Sequence, residues 1–129
     1  MKKEILSLPV VWSNIFFIFP LAVAFILKIY LYIPLLLCVI FFSIRYHFTK
    51  QKRFYLPDHI FALILIASNF YLYFSGGFND IYATLIPFFI LITLSFHYYR
   101  KKVMYQGLHA LWHLFSALLT VLCLLTYVY

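Results

Sequence analysis

The sequence predicts an all-α integral membrane protein, a bundle of five transmembrane helices. Three observations carry that expectation. Of the 129 residues, 67% are hydrophobic and 23% aromatic, and only three are acidic. A water-soluble domain of this length needs a polar exterior that such a composition does not supply. The apolar residues also fall in continuous runs near the length of a bilayer-spanning helix, roughly 17–25 residues, instead of alternating as barrel strands do. Finally, the runs are separated by short basic loops, the pattern of the positive-inside rule. The formal net charge of +7 therefore reads as membrane topology and not as nucleic-acid binding.

The first helix is expected over residues 9–27, with Pro20 as a kink. Met1-Lys2-Lys3 before an apolar run imitates a signal peptide, and Ala22-Val23-Ala24 offers a small-x-small pattern. The chain beyond it stays apolar, so the segment reads as an uncleaved helix. Lys28, Tyr30 and Tyr32 mark an interfacial turn. The second helix is expected over 33–47, with Pro34 in its first turn. A basic loop with Lys50, Lys52 and Arg53 follows, and Pro57 is expected to open the third helix, 57–74. Ser75-Gly76-Gly77-Phe78-Asn79-Asp80 is a turn. The fourth helix is expected over 81–98, with Pro87 inside it, and the fifth over 105–128, after the basic stretch Arg100-Lys101-Lys102. No repeat, linker or soluble domain interrupts these runs, so residues 1–129 read as a single transmembrane helical domain. Cys38 and Cys123 lie inside apolar runs and are expected as free buried thiols.

Charge sets the expected orientation. With the N-terminus in the cytoplasm, nine of the ten basic residues fall on the cytoplasmic side and only Lys28 on the other. The C-terminus and Asp80 are then outside. Lys-, Ile-, Phe- and Tyr-rich usage and small size fit a bacterial cytoplasmic membrane.

Polar and ionisable groups inside a membrane are costly and mark function. Helix two carries Ser43 and His47, four apart and so on one face; helix three begins near Asp58; helix five begins with His109 and His113, again four apart, with Ser116 on the same face. In the orientation above, all of these helix ends lie on the cytoplasmic side, so three histidines, a carboxylate and a hydroxyl can meet at one depth. Three imidazoles and an open position are the donor set of a catalytic Zn²⁺. Such an ion acidifies water to a pKa of about 7, a carboxylate can move its proton, and a serine can support the water or an oxyanion. Blander roles stand beside these. Asp58 could cap helix three, and Ser43 could bond its own helix backbone. Two histidines could hold haem instead, or the polar groups could conduct a metal ion or proton. His59 and His97 fit none of the spacings and read as interfacial, and Trp112 reads as packing or as a belt residue.

Ser43-Ile44-Arg45-Tyr46-His47, then Asp58, then His109-x-x-x-His113, resembles the CREST superfamily. That group comprises the alkaline ceramidases, the progestin and adiponectin receptors with their hemolysin III relatives, and myomaker-like proteins. The Tyr46-His47 pair and Leu108-His109-Ala110-Leu111-Trp112-His113 look closest to the ceramidase and myomaker side. The resemblance implies that His47, His109 and His113 bind zinc. It further implies that Asp58 positions or deprotonates the zinc-bound water, and that Ser43 supports that water or the oxyanion. The implied function is a zinc-dependent membrane hydrolase of a lipid amide or ester. The alternative is a non-catalytic, zinc-stabilised receptor-like or membrane-remodelling protein. One departure is large: family members have seven transmembrane helices and this chain offers five, so a second copy could be needed to complete the lipid pocket.

Overall fold

The computed structural model describes residues 10–78, 80–99 and 105–129, with the side chains of Tyr105 and Gln106 outside that description. Pro9 and five of the basic residues used for orientation (Lys2, Lys3, Arg100, Lys101 and Lys102) lie outside the described residues. The described chain is all helical. It forms α1 (Val10–Ile26), α2 (Tyr32–Thr49), α3 (Lys52–Ser75), α4 (Ile81–Tyr99) and α5 (Tyr105–Val128). No strand occurs among the described residues. Four of the helices, α2, α3, α4 and the Gly107–Val128 part of α5, are long and apolar enough to cross a membrane; α1 is shorter.

Each inner face follows helical periodicity. On α2 the buried residues are Tyr32, Leu36, Val39, Ser43 and His47, spaced by three or four as one helix face requires. On α5 the buried series includes His109, His113, Ala117, Thr120 and Leu124. The polarity is the reverse of a water-soluble bundle. Ser13, Asn14, Ser43, Asn69, Thr93 and Thr120 are buried, while Trp12, Phe19, Leu31, Leu63 and Leu91 are exposed. An apolar exterior around a partly polar interior suits a hydrocarbon surround, where interior polar groups must find partners within the protein.

Two helices depart from expectation at their N-terminal ends. The third helix begins at Lys52, not at Pro57, which lies inside it. Gln51, in extended conformation, precedes it, and Phe54 N–H bonds Gln51 O at 3.1 Å. Pro57 is the sixth residue of the helix, past the N-terminal N–H groups that have no intrahelical partner, so it costs one bond, to the Arg53 carbonyl in the second residue of the helix. In α1 the irregularity expected at Pro20 appears as a 3₁₀ segment, Ser13–Phe17, just before it. The proline ring crowds the carbonyl four residues back, that of Phe16, which is why the winding changes there.

Packing defines a ring and an outlier. α1 packs on α2 and α5, α2 on α3, and α3 on α5, so α1, α2, α3 and α5 close a four-helix bundle with α2 and α5 across the diagonal. α4 packs on α5. Although α3 and α4 are joined by a short turn, they share almost no packing with one another. The turn between them is tied to the end of α5. Asp80 accepts the Ala83 N–H at 2.9 Å and so caps α4, and the same oxygen accepts the Thr126 hydroxyl at 2.8 Å.

Candidate metal centre

His47 reaches the bundle interior from the last turns of α2, and His109 and His113 come from the first turns of α5. The three side chains are 4%, 4% and 7% exposed. One ring nitrogen from each lies within 4.8 Å of the other two. The ring centroids are 4.7 Å apart for His47 and His109, 4.8 Å for His109 and His113, and 6.1 Å for His47 and His113. Nitrogens bound tetrahedrally at about 2.0–2.1 Å would lie about 3.4 Å apart, so sharing one ion would draw the three nitrogens together by up to about 1.4 Å from their 4.8 Å limit.

The cluster lines a cavity of about 620 Å³. Asp58, Ser43 and Ser116 line the same cavity, so the structure brings every residue of the sequence-based constellation to one space. Asp58 is not a helix cap: α3 has no acidic residue in its first turn, and the carboxylate side chain is only 15% exposed. It shares an inner face with Leu65, Asn69 and Leu72. The neighbouring His59 Nδ1 is 3.8 Å from the Asp58 carboxylate, but at 2.8 Å it donates to the Tyr55 carbonyl instead. Ser43 does not bond its own backbone; its hydroxyl oxygen is buried with no hydrogen-bond partner among the described residues. A buried hydroxyl left in that state points to a ligand or a water.

His59 and His97 are exposed, as expected of interfacial residues, yet both also line the cavity. Trp112 stands between His97 and His109, with ring centroids 4.8 Å and 5.4 Å away. It is a wall of the site as well as packing.

Sequence reasoning missed the contribution of α1. Ser13 Oγ lies 2.7 Å from His113 Nδ1, and Phe17 meets the same ring edge-on at 6.0 Å. Asn14 is fully buried and lines the cavity; its amide nitrogen donates to the carbonyls of Val10 at 3.1 Å and Val11 at 3.3 Å, leaving Oδ1 without a partner among the described residues. The signal was present, since Ser13 and Asn14 are the only polar side chains between Val10 and Leu27. Also missed was a relay deeper in the bundle: Tyr32 OH donates to Asn69 Oδ1 at 3.2 Å, and Asn69 Nδ2 to Thr120 Oγ1 at 2.9 Å.

No family model, curated protein or solved structure matches this chain.

Chemically, three buried imidazoles could bind a metal ion. Neutral imidazole suits several transition metals, zinc among them. The cavity runs along α3 from Tyr55 to Tyr73, about 27 Å at 1.5 Å per residue. Its far part is mostly apolar, lined by Phe70, Tyr73, Ile86, Leu119 and Cys123 with Asn69 among them. Leu63, Ile66 and Phe70 of α3 and Leu94 of α4 line it while also being exposed. The cavity therefore opens sideways, through the gap between α3 and α4.

Proposed function

We propose that this chain is a zinc-dependent integral membrane hydrolase of a lipid amide or ester, a reduced member of the CREST superfamily. The observation that carries the reading is the convergence of His47, His109 and His113 with Asp58 and Ser43 on one cavity. The resemblance rests on those five positions. In the proposed topology the N-terminus is cytoplasmic, the C-terminus is outside, and the site lies near the cytoplasmic face of a bacterial inner membrane. Labelling of Ser75→Cys by a membrane-impermeant thiol reagent added from outside tests that topology, and labelling only from the cytoplasmic side would reverse it.

His47, His109 and His113 would hold the ion, which when bound would supply Lewis acidity for the carbonyl and lower the pKa of attacking water to about 7. Asp58 takes the proton of that water and delivers it to the leaving nitrogen or oxygen as the acyl bond breaks. Ser43 donates a hydrogen bond from its hydroxyl to the oxygen on which charge develops, keeping its proton. The sideways opening suits a substrate that arrives from the bilayer, and the apolar far end suits its acyl chain.

The test is metal content together with turnover of ceramides, acyl amides and acyl esters by the purified protein. About one zinc per chain, lost when His109→Ala and His113→Ala are combined, is expected. A protein that holds no zinc, or holds it equally well after that double replacement, overturns the reading. The second reading, a structural zinc in a receptor-like or remodelling protein, is favoured by the burial of the cluster and is separated from the first at Asp58, as argued below.

A further inference from the structure

We propose that Ser13 is a positioning residue of the metal centre: its hydroxyl oxygen accepts the Nδ1 proton of His113 and so presents Nε2 as the ligand atom. The proposal rests on the reading of the three-histidine cluster as a metal site.

A proton count carries it. Ser13 Oγ makes two short contacts, 2.7 Å to the Val10 carbonyl oxygen and 2.7 Å to His113 Nδ1. A carbonyl oxygen can only accept, and a hydroxyl has one proton to give. The contact to Val10 uses that proton. The contact to His113 must then run the other way, with Nδ1–H donating to Oγ. Reversing both would set two oxygen lone pairs against each other at 2.7 Å with no proton between them. A neutral imidazole protonated at Nδ1 carries its lone pair on Nε2, the atom a metal takes.

The surroundings hold this arrangement in place. Ser13 is 4% exposed, so little water competes for its hydroxyl. The Val10 carbonyl also accepts from Asn14 Nδ2 at 3.1 Å, which pins it as an acceptor. The Phe17 ring, one turn on, meets the His113 ring edge-on, limiting its rotation. The 3₁₀ winding of Ser13–Phe17 is the local geometry in which these side chains reach α5. Outer-sphere partners of this kind fix the tautomer and orientation of a ligand histidine, and their loss typically weakens metal binding 10–100-fold. α1, which supplies no metal ligand, thereby becomes part of the centre.

The experiment reads the imidazole nitrogens of isotope-labelled histidine by NMR, without and with zinc, in detergent micelles. In the unaltered protein without metal, His113 is expected to be protonated at Nδ1. On adding zinc, the Nε2 resonance should move. Ser13→Ala should give a mixture of tautomers at His113 and at least tenfold weaker zinc binding. Ser13→Thr, which keeps the hydroxyl, should restore both; its near-isostere Ser13→Val should not. The proposal is overturned if His113 of the unaltered protein carries its proton on Nε2, a result that needs no variant to fold. It is equally overturned if Ser13→Ala leaves tautomer and affinity unchanged, or if Ser13→Thr behaves like Ser13→Val. Zinc that moves none of the three rings defeats the metal reading and this proposal together. A wrong tautomer with bound zinc defeats this proposal alone.

Discussion

At Asp58 the chain places a carboxylate seven residues past the cap position of α3, on the inner face, in the cavity that holds the three histidines. A capping carboxylate would sit at the helix start and face water. One inside an apolar cavity carries a desolvation cost that only a partner or a function there offsets. Asp58→Asn keeps the shape and removes the base. It should retain zinc and lose turnover by at least about a hundredfold, the usual scale of general acid–base catalysis. Measured side by side, zinc content and turnover decide between the two readings: a variant with full zinc and full turnover makes the metal structural. The residue scale was largely legible beforehand. Ser43, His47, Asp58, His109 and His113 stand out as polar groups in apolar helices, and their spacing puts each pair on one face. Ser13 obeyed the same rule, but a lone serine on a helix is usually spent on its own backbone. Only the approach of α1 to α5 shows that this one also bonds a histidine.

At the scale of elements, two glycines with opposite surroundings give a paired prediction. A Cβ at Gly76 would lie 2.5 Å from the Thr126 methyl and 2.6 Å from the Thr126 carbonyl oxygen, whereas a Cβ at Gly107 would meet nothing within 4 Å among the described residues. Gly76 is therefore where the end of α3 passes against the end of α5, next to the bond that Thr126 makes to Asp80. Gly76→Ala should destabilise the fold by about 1–3 kcal/mol, the scale of overpacking. Gly107→Ala, on an exposed face of α5, should stabilise it by about 0.5–1 kcal/mol through helix propensity alone. Thermal unfolding in micelles checks both, and equal effects at the two sites would mean that the close approach at Gly76 is not real. From the sequence, Gly76 is only a turn residue. Its role as a contact point depends on which helix end lies opposite, and that is decided by packing.

Across the whole molecule, the histidines link the two helices that face each other over the diagonal, α2 and α5, which pack mainly on other partners. A metal bound there would clamp the ring of α1, α2, α3 and α5. Binding to the folded state alone stabilises it by about 2.7 kcal/mol when free ligand is a hundredfold above Kd. Zinc at that excess should raise the Tm, and a chelator should reverse the rise. His47→Ala should fold but lose most of the zinc-dependent increment, because His109 and His113 on one helix cannot clamp the diagonal. An increment that survives His47→Ala would place the ion elsewhere. The separation of α4 from α3 belongs to this scale as well. It leaves the lateral opening of the cavity, which in the proposed function is the substrate's way in from the bilayer.

Helix number and approximate limits, the apolar exterior and the inward-facing set Ser43, His47, Asp58, His109 and His113 followed from the sequence alone. Each is written in local periodicity and composition, and none needs knowledge of which helix neighbours which. Tertiary structure decided three things. It began α3 a turn before Pro57, which removed capping as a role for Asp58. It set α2 diagonally across from α5, so that His47 meets His109 and His113. It brought Ser13 of α1 against His113, a hundred residues away in the chain. Such pairings depend on how helix faces interlock, and a periodicity that shows which face turns inward does not say what that face will meet.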